Sequence, residues 1–136
     1  VYDVFTTALD VAGGDYGNHV VDGIDLTLVF SSARGSTSSR EFLMHFPHSH
    51  RSSYFTAFRK EDWKLIYHYD KPSGPSDDKV ELFNLSEDRN ESINLALSNP
   101  EKLREMMQAM KAALEESGAQ LPLSKDGGEP HLPSLQ

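Results

Sequence analysis

Four short runs rich in aromatic and β-branched residues, followed by one amphipathic segment with helix-start and helix-stop residues, constrain this chain most. The runs are Glu41 to Phe46, Tyr54 to Arg59, Trp63 to Tyr69 and Val80 to Asn84. Each is too short for a typical helix and is built from residues that fit a pleated surface. In the third, Trp63, Leu65, Tyr67 and Tyr69 alternate with Lys64, Ile66 and His68, so one face is apolar and the other mixed. Lys60-Glu61-Asp62 is short enough to close a hairpin between the second and third runs. Four such strands form a small antiparallel sheet whose apolar face needs a cover. Asn99-Pro100-Glu101 begins that cover with a capping residue, proline at the first helical position and an acid in the first turn. Leu103, Met106, Met107, Met110, Ala113 and Leu114 then line one helical face, and Gly118 ends it. A methionine stripe can also form an adaptable binding groove, but methionine commonly fills irregular cores, and the stripe is read as packing.

Upstream, Val4, Phe5, Ala8, Leu9 and Ala12 recur at helical spacing until Gly13-Gly14 stops them. Asp22-Gly23 marks a turn, and Ile24 to Phe30 is a short apolar segment whose type periodicity leaves open. Ser31 to Ser39, with five serines and a glycine, reads as a linker loop, and Lys71 to Lys79 as another loop. The expected organisation is therefore residues 1–30, a linker at 31–40, the sheet and helix at 41–119, and a disordered or draped tail at 120–136. With 136 residues and 38% hydrophobic residues the chain can build one modest core. A net charge of −8 opposes general nucleic-acid binding. No apolar run is long enough for a membrane span, and no leader of the signal-peptide kind is present. The absence of cysteine excludes disulfides, thiolate metal sites and thiol nucleophiles. Val1 opens directly in helical periodicity, which suggests a piece of a longer protein.

Charge is uneven. Residues 40–71 hold six Lys and Arg against four Asp and Glu, and also His45, His48, His50 and His68. Arg and protonated His are the usual partners of sulfate, phosphate and carboxylate, so His45-Phe46-Pro47-His48-Ser49-His50-Arg51 is the candidate anion-binding stretch. The alternative is a solvated strand-and-loop surface. Three histidines could also suggest a metal, yet Pro47 forces an extended or turning backbone in which positions 45 and 48 need not converge, and no metal site is assigned. The nucleotide-binding glycine motifs, H-E-x-x-H and the G-x-S-x-G elbow are all absent. Asn84-Leu85-Ser86 and Asn90-Glu91-Ser92 fit the glycosylation pattern, which is frequent by chance. The residues alone support binding better than catalysis.

Several stretches in order resemble the C-terminal segment of sulfatases. Phe58-Arg59-Lys60-Glu61-Asp62-Trp63-Lys64-Leu65-Ile66-Tyr67 is similar to the family's R-x-G-D-W/Y-K-L-I hairpin strand. Glu81-Leu82-Phe83-Asn84-Leu85-Ser86-Glu87-Asp88, with Glu91 and Asn94-Leu95-Ala96, is similar to its E-L-Y/F-N-L-x-x-D-x-x-E-x-x-N-L-A. Tyr2 to Gly13 resembles the D-x-x-P-T-L-L-D-L-A-G helix, and Asp22-Gly23-Ile24-Asp25-Leu26 the D-G-x-S-L element. The likeness runs from about Asp3 to about Ala119. Thr6 stands where the family has proline, a change expected to matter little, and Glu61 where it has a hairpin glycine, which puts the turn type in question.

The resemblance implies an α/β alkaline-phosphatase-like sulfatase. This α+β piece would supply the last catalytic-domain helix, a linker and a C-terminal subdomain of four antiparallel strands on one helix. It implies sulfate-ester hydrolysis by a parent enzyme acting on a sulfated carbohydrate or aryl sulfate, with the catalytic residues in a missing N-terminal domain. Calcium and a formylglycine made from C/S-x-P-x-R are expected in that parent and not in this chain. The nearest approach, Ser98-Asn99-Pro100-Glu101-Lys102, is a helix cap. H-F-P-H resembles an x-Y-P-H that some members place near the pocket rim, so His48, helped by His45, His50 or Arg51, is the expected substrate contact. A periplasmic, lysosomal or secreted parent would suit the family. The competing readings are a free-standing module for anionic carbohydrate and a fragment of a related phosphoester or phosphonate hydrolase. A fragment should expose a large apolar surface where the remainder docks, and a complete module should not.

Overall fold

The computed structural model describes residues 2–31, 41–48, 54–69, 78–123, 128 and 130–135. Linker residues 32–40, loop residues 71–77 and tail residues 124–127, 129 and 136 lie outside the described residues. The chain divides into two compact units, Val1–Thr37 and Ser38–Gln136.

In the first unit, α1 (Tyr2–Val11) is followed by an irregular stretch and a single-turn helix, α2 (Thr27–Ser31). The apolar stripe of α1 is not its buried face. Val4 and Phe5 are 68% and 59% exposed, and the helix buries only Thr6. The physical reason is polar: the side chains of α1 hold the segment that returns past it. The Thr6 hydroxyl donates to the Ile24 carbonyl at 2.7 Å, and the Asp3 carboxylate accepts the Ile24 N–H at 3.0 Å. The Thr7 hydroxyl accepts the Leu26 N–H at 3.0 Å while donating to the Asp3 carbonyl. Thr6 thus makes a bond that a proline at this position could not. Gly23 permits the close passage, since a Cβ there would lie 2.3 Å from the Tyr2 carbonyl oxygen. Leu28 and Phe30 of α2 are also exposed.

The second unit is an antiparallel meander of β1 (Glu41–Phe46), β2 (Phe55–Lys60), β3 (Trp63–His68) and β4 (Val80–Asn84), in that order, followed by α3 (Pro100–Glu116). Register sets two faces, because alternate residues point oppositely. Leu43, Phe58, Leu65 and Leu82 stand side by side across the sheet. With Tyr67 they meet Met106, Met107, Met110 and Leu114 in one core, as the stripe predicts. Burial of each large side chain is worth about 1.5–3 kcal/mol.

Two local expectations change. Asn99 does not cap α3 with its side chain, which donates to the Ser98 hydroxyl instead; Pro100 and the Asn99 carbonyl, accepting Leu103 N–H at 2.9 Å, start the helix. The C-terminus behaves as expected, with Gly118 at φ +62° and Ala119 N–H reaching the Leu114 carbonyl. The β2–β3 turn keeps the left-handed backbone that a glycine would favour: Glu61 sits at φ +54°. That conformation costs an L-residue about 1–2 kcal/mol. It is held by Arg59 Nε donating to the Glu61 carbonyl and by Leu85 N–H bonded to the Asp62 carbonyl. The described part of the tail is draped over the sheet: Leu123 bridges Pro130, His131 N–H donates to the Pro122 carbonyl, and Pro133 is fully buried.

Candidate functional site

The candidate stretch begins at the end of β1. His45 lies on the face that carries Thr56, and both of its ring nitrogens are used. Nδ1 is 2.7 Å from Thr56 Oγ1, and Nε2 is 2.8 Å from the Gln120 carbonyl oxygen. A carbonyl only accepts, so Nε2 carries the hydrogen, and in the neutral ring Nδ1 accepts from the Thr56 hydroxyl. Thr56 then accepts from the Tyr69 hydroxyl at 2.8 Å. Burial pushes the Tyr69 hydroxyl above its ordinary pKa, against the opposing effect of the Thr56 bond, and so keeps that donor protonated. His45 is therefore a tie between the sheet and the segment after α3.

His48 is exposed, and its ring centroid lies 5.0 Å from that of Phe46, on the opposite side of the strand. The structure does not bring His45 and His48 together. His50 and Arg51 lie outside the described residues.

Sequence reasoning missed the second sheet face. Phe42, Met44 and Phe46 of β1 alternate with the core-facing residues, as do Phe55 and Ala57 of β2 and Ile66 of β3. All but Phe46 floor an apolar groove that Leu85 extends and that Arg59, Lys64 and Glu91 border. Phe42 and Met44 are 44% and 47% exposed. The alternation was visible in β1 and β2, but charges at Lys64 and His68 made the face look merely mixed. Both are paired: Lys64 Nζ to the Glu91 carboxylate at 2.6 Å, and His68 Nε2 to Glu81 at 2.9 Å.

The acidic and amide residues around β4 are structural. Asn84 Oδ1 accepts from the backbone N–H and hydroxyl of Ser86. Glu91, at φ +55°, reaches Lys64. Asp88 Oδ2 accepts the N–H groups of Ile93 at 2.9 Å and Ser92 at 2.6 Å. These backbone bonds, that of Ile93 foremost, hold the Asp88 carboxyl below the ordinary carboxylate value, with slight burial opposing them. A group with a depressed folded-state pKa stabilises fully above its unfolded value and loses that contribution as pH falls through the folded one. Asp88→Asn is therefore expected to flatten the acid limb of a urea-stability profile below about pH 4 relative to wild type.

Among the described residues no group of three or more His, Asp or Glu could hold a metal ion, and the chain has no cysteine.

No family model and no curated protein matches the sequence. Solved structures do match. A Bacteroides fragilis protein assigned as a sulfatase, yidJ, aligns over 86% of this chain and 25% of its own, with TM-score 0.64 and 19% identity. BT4656, solved with its substrate D-glucosamine-2-N,6-O-disulfate, aligns over 85% of this chain and 24% of its own, with TM-score 0.59 and 22% identity. Ps i-CgsB, solved with k-i-k-neocarrahexaose, aligns over 82% and 23%, with TM-score 0.60 and 21% identity. This chain thus spans about a quarter of the length of these solved chains, and over that span it shares their α+β fold.

Proposed function

We propose that this chain is the C-terminal part of a sulfatase that hydrolyses sulfate esters of a sulfated carbohydrate, and that it braces the catalytic domain and lends His48 to the rim of the substrate pocket. The observation that carries the reading is the apolar groove on the outer face of the four-stranded sheet, in a fold shared with segments that make up about a quarter of the sulfatase-like chains they belong to. A complete module would not leave Phe42 and Met44 on an open groove. Val4, Phe5, Leu28 and Phe30 of the first unit, all largely exposed, support the same reading. The remainder of the parent would supply the formylglycine and calcium. In this reading the segment adds rigidity and an imidazole, which donates to an anionic substituent when protonated.

The test is sulfate release by the full-length protein from sulfated glycans and aryl sulfates, beside phosphate release from a phosphate monoester. His48→Ala is expected to lower kcat/KM on the preferred sulfated sugar about tenfold to a hundredfold, the range of a charge-assisted hydrogen bond. Unchanged kcat/KM removes His48 from the pocket. Phosphate release without sulfate release moves the parent to the phosphoesterases.

A further inference from the structure

We propose that the free edge of β1 is a homodimer interface, on which a second copy of this chain adds its own β1 antiparallel across a two-fold axis. Register decides which backbone groups face that edge. Tyr69 N–H donates to the Tyr54 carbonyl, so 54 and 69 form a hydrogen-bonded pair. By alternation Thr56 with Tyr67 and Phe58 with Leu65 are hydrogen-bonded pairs too. The β2 residues left to bond β1 are therefore Phe55, Ala57 and Arg59, opposite Phe46, Met44 and Phe42. Glu41, Leu43 and His45 keep N–H and carbonyl groups that point away from the sheet. Among the described residues no backbone bond reaches these groups, and the Gln120 carbonyl meets the His45 ring rather than its main chain.

The opposite edge of the sheet is closed. Asn94 takes the Leu82 N–H and the Val80 carbonyl, and Leu95 N–H takes the Leu82 carbonyl. β1 has no such cover and none of the devices that blunt an edge. It contains no proline, its register with β2 runs without a bulge, and its one charge, Glu41, is paired with Lys60 at 2.7 Å. Its sequence is also self-complementary about Leu43. Antiparallel pairing centred there sets Leu43 against its own copy, Phe42 against Met44 and Glu41 against His45. Apolar then meets apolar in the middle, and a carboxylate meets an imidazole at each end. A shift of two residues, the smallest that keeps outward groups opposed, sets Leu43 against Glu41 or His45 and loses the match. A strand from elsewhere in a longer parent would need no such symmetry, so the symmetry favours a second copy. The pairing uses backbone groups in the plane of the sheet and leaves the groove floor at Ala57, Ile66 and Leu85 to a docking domain.

The experiment is sedimentation equilibrium of this chain and of the full-length protein from about 1 to about 100 μM. The expected result is a monomer–dimer equilibrium in both. Glu41→Pro removes one outward N–H and the acid opposite His45, while proline at the first residue of a strand leaves the β1–β2 ladder intact. It should raise the dimer Kd about tenfold, the scale of the hydrogen bonds lost at the two ends. A second measurement does not depend on how proline is tolerated. The chain has no cysteine, so Leu43→Cys introduces a single thiol that would face its own copy with Cα atoms about 5.5 Å apart, within disulfide reach. Mild oxidation of this chain should cross-link Leu43→Cys and spare Glu41→Cys, whose copy would lie about 14 Å along the strand. Monomers throughout, a dimer indifferent to Glu41→Pro, or equal cross-linking of the two cysteine variants overturns the interface. A dimer of this chain that is lost in the full-length protein also overturns it and gives the edge to the remainder of the parent. Sulfate release is read separately, so failure of the dimer leaves the proposed function standing.

Discussion

Phe58→Ala is expected to destabilise the second unit by about 3–5 kcal/mol, the cost of emptying a fully buried aromatic site. Phe58 has no exposed surface, stands between Leu43 and Leu65 in the sheet, and belongs to the core built with Met106, Met107, Met110 and Leu114. A domain of this size has about 5–15 kcal/mol in all, so the loss removes a fifth or more of it. The check is the urea midpoint of the second unit. The informative control is Phe42→Ala on the other face, where the side chain is 44% exposed and should cost under about 1 kcal/mol in this chain. Comparable losses at the two positions would mean that the groove face is already filled. In the full-length parent the control should become costly, because docking would bury Phe42. That difference between chain and parent measures the docking directly.

The strands and α3 were legible because local preference and tertiary need agree there. Period-two alternation, proline at the helix start and glycine at its end all point to the structure observed, and the methionine stripe meets the sheet face that needed covering. Disagreement arose where packing is decided by polar atoms or by a partner. Helix α1 shows a clean apolar stripe, yet Thr6 is its buried residue, since two hydroxyls and a carboxylate hold the returning strand of backbone. Periodicity identifies an apolar face but not what covers it. Asn99 looks like a cap and is not one, because its amide donates to the Ser98 hydroxyl and makes no bond to the N–H groups of the first helical turn. At the candidate site, the resemblance grouped His45 with His48, although Pro47 already left their convergence open. The pleat separates them: His45 is taken up by Thr56 and Gln120, and His48 lies against Phe46. Gln120 is 75 residues away in the chain, a distance no local pattern reports.

Asn94→Ala is expected to cost about 2–4 kcal/mol, although the residue lies in an irregular stretch and makes no core contact of note. Its amide oxygen accepts the N–H groups of Leu82 and Ala96, each at 3.0 Å, and its amide nitrogen donates to the Val80 carbonyl at 3.1 Å and the Asp78 carboxylate at 3.0 Å. Leu95 N–H adds a bond to the Leu82 carbonyl, so the stretch closes the outer edge of β4 as an extra strand would. Removing the amide strands the Leu82 N–H beside a fully buried side chain. Asn94→Asp separates donor from acceptor. The carboxylate still accepts from Leu82 and Ala96, but it cannot donate to Val80 and it faces Asp78, so it should be nearly as damaging at neutral pH and partly recover as the new acid is protonated. A thermal melt of the two variants against pH is the check. Asn94 sits in the stretch most similar to the sulfatase pattern, and a catalytic role would lower activity at full stability. The hydrogen bonds predict the reverse: Tm falls first, and activity of the parent persists at temperatures below it, because this stretch of the pattern records how β4 is closed rather than how a sulfate ester is cleaved.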